Sequence, residues 1–143
     1  MIVDLADKTA NIRPLLERAG LPHSDIIDVR WQALLGWMEE GALVAAGGTE
    51  ICDNDVLLRS VVVEPSHRGR GVGSRLVAEL ETRAAAAGCS GMYLLTLDAQ
   101  DYFRRHFGYR EIERETAPKG IRHSSQFSGV CPESATLMYK AFR

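Results

Sequence analysis

The chain has 143 residues, 45% of them apolar and 25% charged, which suits one globular domain with a sizeable core. No apolar run approaches the roughly 20 residues of a membrane helix, and the N-terminus lacks the basic-then-apolar layout of a signal peptide. Three scattered cysteines, Cys52, Cys89 and Cys131, make no disulfide framework, so the expected location is cytoplasmic. The net charge of -2 divides unevenly: residues 1–58 carry ten acids and four bases, residues 59–143 nine acids and thirteen bases. That balance argues against broad nucleic-acid binding and for a small anion held locally by the second half.

No repeat, low-complexity tract or linker divides the chain, so residues 1–143 are read as one domain. Residues 1–6 read as a first strand. Asn11 is a candidate N-cap for a helix to Ala19, with Pro14 in its first turn and Gly20 as its stop. Residues 25–30 suggest a short second helix. Residues 31–38, 42–52 and 56–63 then read as a strand meander with turns at Glu39-Glu40-Gly41 and Asp53-Asn54-Asp55. After Gly71 and Gly73 the period changes to that of a helix, with Leu76, Val77, Leu80, Ala84 and Ala87 on one face and Gly88 at its end. Residues 92–97 form a buried-looking strand, 99–106 a helix closed by Gly108, and 109–114 and 135–142 the last strands. The order predicts an α+β (mixed α/β) fold, a central sheet with antiparallel pairs and helices on its faces.

The sharpest feature is Val61-Val62-Val63-Glu64-Pro65-Ser66-His67-Arg68-Gly69-Arg70-Gly71-Val72-Gly73-Ser74. A β-branched strand feeds a loop rich in glycine and arginine that opens into an amphipathic helix. Gly71 and Gly73 let backbone N–H groups converge without side-chain obstruction, the helix start adds its positive end, and Arg68 and Arg70 add full charges. A GxxxxGK loop is excluded because no lysine lies between Lys8 and Lys119, and a GxGxxG dinucleotide turn is excluded by Leu76. A pyrophosphate loop of the form Arg-x-x-Gly-x-Gly, met by Arg68, Gly71 and Gly73, competes with a basic turn that binds nothing.

This segment resembles the core motif of the GNAT superfamily of N-acyltransferases: a strand ending in Val-x-Pro, then Arg/Gln-x-x-Gly-x-Gly/Ala, then a helix. A second block is also similar, with the strand at 92–97, an aromatic-bearing helix at 99–107, and Gly108-Tyr109. The likeness covers roughly residues 40–143, and the N-terminal third matches in element order alone. It implies a mixed, mainly antiparallel sheet flanked by helices, acetyl-CoA as co-substrate without a metal, and direct attack by an amine on the thioester. It further implies that the backbone of Val61, Val62 and Val63 pairs with the pantetheine arm, and that Arg68, Gly69, Arg70, Gly71, Val72, Gly73 and Ser74 hold the pyrophosphate. The proton donor in this superfamily is often a tyrosine four residues before the closing glycine. Here Arg104 holds that position, and Tyr102, six before Gly108, is the candidate donor or a core aromatic beside Phe103.

Arg59 lies within an apolar strand and shares parity with Leu57, Val61 and Val63, so it needs a partner or a cleft. It is either paired to Glu50 or Asp55, or it clamps a substrate carboxylate together with Arg122. Glu50 suits proton removal through water, or an ion pair. Segments 57–63, 94–96 and 117–135 are similar to arsenic-resistance N-acetyltransferases and to the acetyltransferase domain of N-acetylglutamate synthases, which implies an amino-acid-like amine. Cys131 is read as packing near the site and His67 as solvated. The four histidines and three cysteines show no metal spacing. Partners are then acetyl-CoA and a small amine, with no nucleic acid or membrane and with a homodimer open to it. The alternative function is an acyl-CoA-binding sensor without catalysis.

Overall fold

Apolar runs separated by short polar turns place seven strands side by side. The computed structural model describes residues 1–5, 9–21, 23–26, 29–124, 127 and 134–142. Among these, β1 (Ile2–Asp4), β2 (Trp31–Glu39), β3 (Ala42–Cys52), β4 (Asp55–Val63), β5 (Gly91–Thr96), β6 (Arg110–Glu111) and β7 (Thr136–Ala141) form one sheet in the order β1-β2-β3-β4-β5-β7-β6. Among the described residues four α-helices accompany it: α1 (Arg13–Ala19), α2 (Val72–Ala86), α3 (Gln100–Phe107) and α4 (Lys119–Arg122). Every pairing is antiparallel except β4 with β5, the mixed, mainly antiparallel α+β sheet expected from the sequence.

The helical period of α2 puts Val72, Leu76, Val77, Leu80 and Ala84 on one buried stripe, against Ala45, Leu58, Leu94 and Met138 of the sheet and Phe103 of α3. Each fully buried Leu contributes about 1.5–3 kcal/mol, so this stripe outweighs any local preference in fixing the helix. Tyr109 closes the same core and donates a hydrogen bond from its hydroxyl to Glu81 at 2.9 Å. The other face of the sheet carries two smaller clusters. Leu15 and Leu16 of α1 pack on Leu34, Ala46 and Val62, and Ile121 of α4 packs on Cys52, Leu57 and Leu137.

β4 is irregular where the two clusters meet. Ala46 pairs with Val62 and Gly48 with Arg59, so β4 spends one residue more than β3 over the same stretch. The bulge sits at Ser60, whose φ of 61° is left-handed. An extra residue reverses the alternation. Val61 and Val63 therefore face the α2 cluster while Arg59 and Val62 face the other side, which corrects the shared parity of Arg59, Val61 and Val63 read from the sequence. β4 and β5 pair only at Leu57–Tyr93 and Leu58–Leu94; beyond that point the edge of β4 has no ladder to β5.

Other differences are local. Asn11 falls in a 3-10 turn (Thr9–Ile12) that runs into α1, whose cap position is Ile12, without a side-chain cap bond. Residues 24–26 form a turn rather than a helix because Ile26 is buried in the α1 cluster and Asp25 is held by the sheet; 27–28 lie outside the described residues. The strand expected over 109–114 shrinks to Arg110–Glu111, since Arg114–Thr116 turns into a 3-10 helix.

Gly48 is needed for packing. A Cβ there would lie 2.7 Å from Cε3 of Trp31 and 2.9 Å from Cδ1 of Leu34. Gly48→Ala should therefore destabilise the fold by about 1–3 kcal/mol, read as a lower urea midpoint. An unchanged midpoint would mean that the Trp31 indole moves aside without cost.

Candidate active site

The segment leaving β4 makes a 3-10 turn (Pro65–His67) and then a loop that opens α2. Gly69 and Gly71 both adopt left-handed φ, 81° and 77°, and a Cβ on either would meet nothing within 4 Å. Their need for glycine is thus conformational, and the space in front of them is open. Gly71 occupies the N-cap of α2 with no side-chain cap bond, which leaves the first N–H groups of that helix, among them those of Val72, Gly73 and Ser74, without intrahelical acceptors. Arg68 is exposed and donates from Nε to the Val63 carbonyl at 3.2 Å. Arg70 is exposed, with the Glu39 carboxylate 4.0 Å away. Converging N–H groups, a helix start and two arginines suit a phosphate anion. His67 is not solvated as expected: Nε2 is 3.0 Å from Glu39 and Nδ1 is 2.9 Å from Ser66 Oγ, because the 3-10 turn folds it back toward β2.

Gly73 brings three elements together. A Cβ there would lie 3.3 Å from Val63 Cγ2 and 3.8 Å from the Tyr102 hydroxyl. Tyr102 shares a hydrogen bond of 2.8 Å with Ser74 Oγ, and its ring packs against Phe103, His106 and Phe107. Arg104, at the four-before-glycine position, instead points outward to Asp101 and Glu111. Phe107 extends α3 and packs on the core before Gly108 ends the helix at φ 77°. The structure thus brings Tyr102, and not Arg104, to the loop and to the end of β4.

On the opposite face, beside the point where β4 leaves β5, stands a buried ion cluster. The Arg59 side chain has no exposed surface; Asp25 and Glu50 side chains are each 12% exposed. Arg59 donates to both oxygens of Asp25 at 2.7 and 2.6 Å and to Oε1 of Glu50 at 3.1 Å. Burial lowers its pKa, but the hydrogen bonds and charges of Asp25 and then Glu50 outweigh that and hold the guanidinium more firmly protonated than usual. The Trp31 ring stacks on it, 5.7 Å from centroid to Cζ. Trp31 Nε1 and His23 Nδ1 are buried without a hydrogen-bond partner.

Of the two partners expected for Arg59, Glu50 is present and Asp55 is not. Asp55 pairs with Cys52 at the hairpin end, and Asp25 takes its place. With its fork occupied, Arg59 is not an open carboxylate clamp. Arg122 is exposed on α4, whose Ile121 packs beside Leu57. Cys131 lies outside the described residues. Cys52 is a buried thiol pushed up to about 12, by burial first and then by Glu50, Asp55 and Asp53, so it stays protonated and is no nucleophile. Among the described residues no group of His, Cys, Asp or Glu could hold a metal ion, and no helix is long and apolar enough to cross a membrane.

Asp25 and the bulge at Ser60 were absent from the sequence reading. The demand of a buried arginine for a counter-ion was the only available signal, and it named no residue 34 positions away.

The sequence profile of the acetyltransferase (GNAT) family matches residues 8–109. An amino-acid acetyltransferase of Pseudomonas fluorescens is 32% identical over 90 residues, covering 61% of this chain and 21% of that protein. The uncharacterized N-acetyltransferase YjcF of Bacillus subtilis is 37% identical over 82 residues, covering 56% and 58%. The chain thus spans between about a fifth and three fifths of these curated relatives. Among solved structures, Rv2747 of Mycobacterium tuberculosis in complex with CoA and NLQ superposes with a TM-score of 0.79 at 17% identity, covering 100% of this chain and 99% of that one. N-acetylglutamate synthase of Neisseria gonorrhoeae, complexed with coenzyme A and N-acetyl-glutamate, gives 0.75 at 19% identity, covering 100% and 35%. At these identities the structures speak for the fold alone.

Proposed function

The chain belongs to the acetyltransferase (GNAT) family, and we propose that it moves the acetyl group of acetyl-CoA to the primary amine of a small, amino-acid-like molecule. The observation that carries this reading is the Tyr102 hydroxyl against Ser74 of the glycine-rich loop; Glu50, bonded to Arg59, lies on the other face of the sheet near the point where β4 leaves β5. Acetyl-CoA, when bound, supplies an activated acyl carbonyl. The loop from Arg68 to Ser74 holds its pyrophosphate, and the unladdered edge of Val61, Val62 and Val63 offers backbone groups to the pantetheine amides.

Glu50 then takes the proton that the amine must lose before it attacks, through the oxygen not bonded to Arg59. Tyr102 gives a proton to the sulfur as it departs. The likeness to an amino-acid acetyltransferase supports an acceptor with a carboxylate. Because Arg59 is committed to Asp25 and Glu50, Arg122 is the cation assigned to that carboxylate.

The test is thiol release from acetyl-CoA across amino acids, arsenic- and phosphorus-containing analogues, aminoglycosides and polyamines. Turnover should be highest with an amino acid and lower with its amide. Tight CoA binding with no release for any amine would instead make the chain a non-catalytic acyl-CoA binder. Equal turnover of acid and amide would remove the role of Arg122.

A further inference from the structure

The two carboxylates on Arg59 do not share it equally. Asp25 occupies the planar fork, with one bond from each terminal nitrogen, while Glu50 receives a single bond from Nη1 at 3.1 Å. A bidentate pair is the geometry that best satisfies a guanidinium, so Asp25 alone would meet the needs of the buried arginine. Glu50 is then a second carboxylate on a cation already paired, with a side chain only 12% exposed. Its Oε2 accepts no hydrogen bond among the described residues. Holding such a group out of water is unfavourable.

We propose that Asp25 and Arg59 are positioning residues for Glu50. Asp25 fills the fork so that Glu50 is not captured by it. Arg59 uses one remaining N–H to aim Glu50, with Oε2 open, at the ammonium group of the incoming acceptor. The proton passes from the ammonium nitrogen to Oε2 and later to solvent, leaving a neutral amine with a free electron pair. The Trp31 ring, packed against Gly48, lies over the guanidinium with its centroid 5.7 Å from Cζ. Asp25 belongs to the segment that follows α1, so the same pair fastens that segment to the sheet beside the reacting nitrogen. This inference rests on the proposed acetyl transfer with Glu50 as proton acceptor, and it extends that role to two residues that need not touch the substrate.

The full chain carrying Asp25→Asn, Glu50→Gln, or both provides the test. Each single variant leaves Arg59 one carboxylate and should melt within a few degrees of the parent. The double variant strands the guanidinium and should melt lower than the sum of the two effects. With an amine that the parent acetylates, Asp25→Asn should lower kcat about tenfold or more, as Glu50→Gln does, with the CoA dissociation constant and the KM for acetyl-CoA unchanged. Asp25→Asn with parental kcat, or a loss confined to KM, overturns the positioning role and leaves the acetyl transfer standing. A double variant as stable as the singles overturns the exchange of partners on Arg59. A parent that binds CoA and acetylates no amine overturns the proposed function, and this inference falls with it.

Discussion

Gly71→Glu should abolish CoA binding while the chain still folds. Gly71 sits at φ 77° at the start of α2, and a Cβ there would meet nothing within 4 Å, so the backbone leaves space for a side chain to start. A non-glycine residue in this conformation costs about 1–2 kcal/mol, which the buried stripe of α2 can tolerate. The charge is what matters. A carboxylate about 4 Å from a phosphate, at an effective dielectric near 20, is repelled by about 4 kcal/mol, close to a thousandfold in affinity. Gly71→Asn separates strain from charge, because asparagine accepts left-handed φ and carries none; it should weaken binding far less. Calorimetry that finds parental CoA affinity in folded Gly71→Glu would detach the loop from the pyrophosphate.

Tyr102→Phe should lower kcat about a hundredfold and change the KM for acetyl-CoA little. The hydroxyl lies beside the end of β4 and the start of α2, where the sulfur would depart in the proposed transfer, and it shares a hydrogen bond of 2.8 Å with Ser74 Oγ. The ring's contacts with Phe103, His106 and Phe107 survive the change, so the fold should not suffer. Ser74→Ala keeps the phenol and removes only its tether, and should cost several-fold less than Tyr102→Phe. Equal losses in the two variants would assign the effect to the Ser74–Tyr102 bond itself. Full activity of Tyr102→Phe between pH 6 and 9 would mean that the thiolate leaves unaided.

The glycine-rich turn before α2 and the succession of strands and helices along the chain were legible from residues alone because their causes are local. Of the two glycines singled out there, Gly71 takes the left-handed φ that opens the helix while Gly73 lies within it, and the apolar period of α2 is written into 15 consecutive residues. Tyr102 was legible as an aromatic of α3, yet counting back from Gly108 pointed to Arg104. Rotation about the helix axis, set by the burial of Phe103 and Phe107, decided which of the two faces Ser74.

Two features of the site had no local cause. A bulge is a relation between two strands, and only the register of β4 on β3 shows the extra residue at Ser60 that turns Val61 and Val63 away from Arg59. The other is the partner of Arg59. Sequence chemistry required a carboxylate and offered Glu50 and Asp55 on neighbouring positions. The folded chain kept Glu50 and supplied Asp25 from the segment after α1, 34 residues away. Backbone geometry and helical period are properties of short segments and can be read in order. The pairing of buried charges depends on which segments the core brings together, and that was settled by packing Ile26 and α1 against Leu34, Ala46 and Val62.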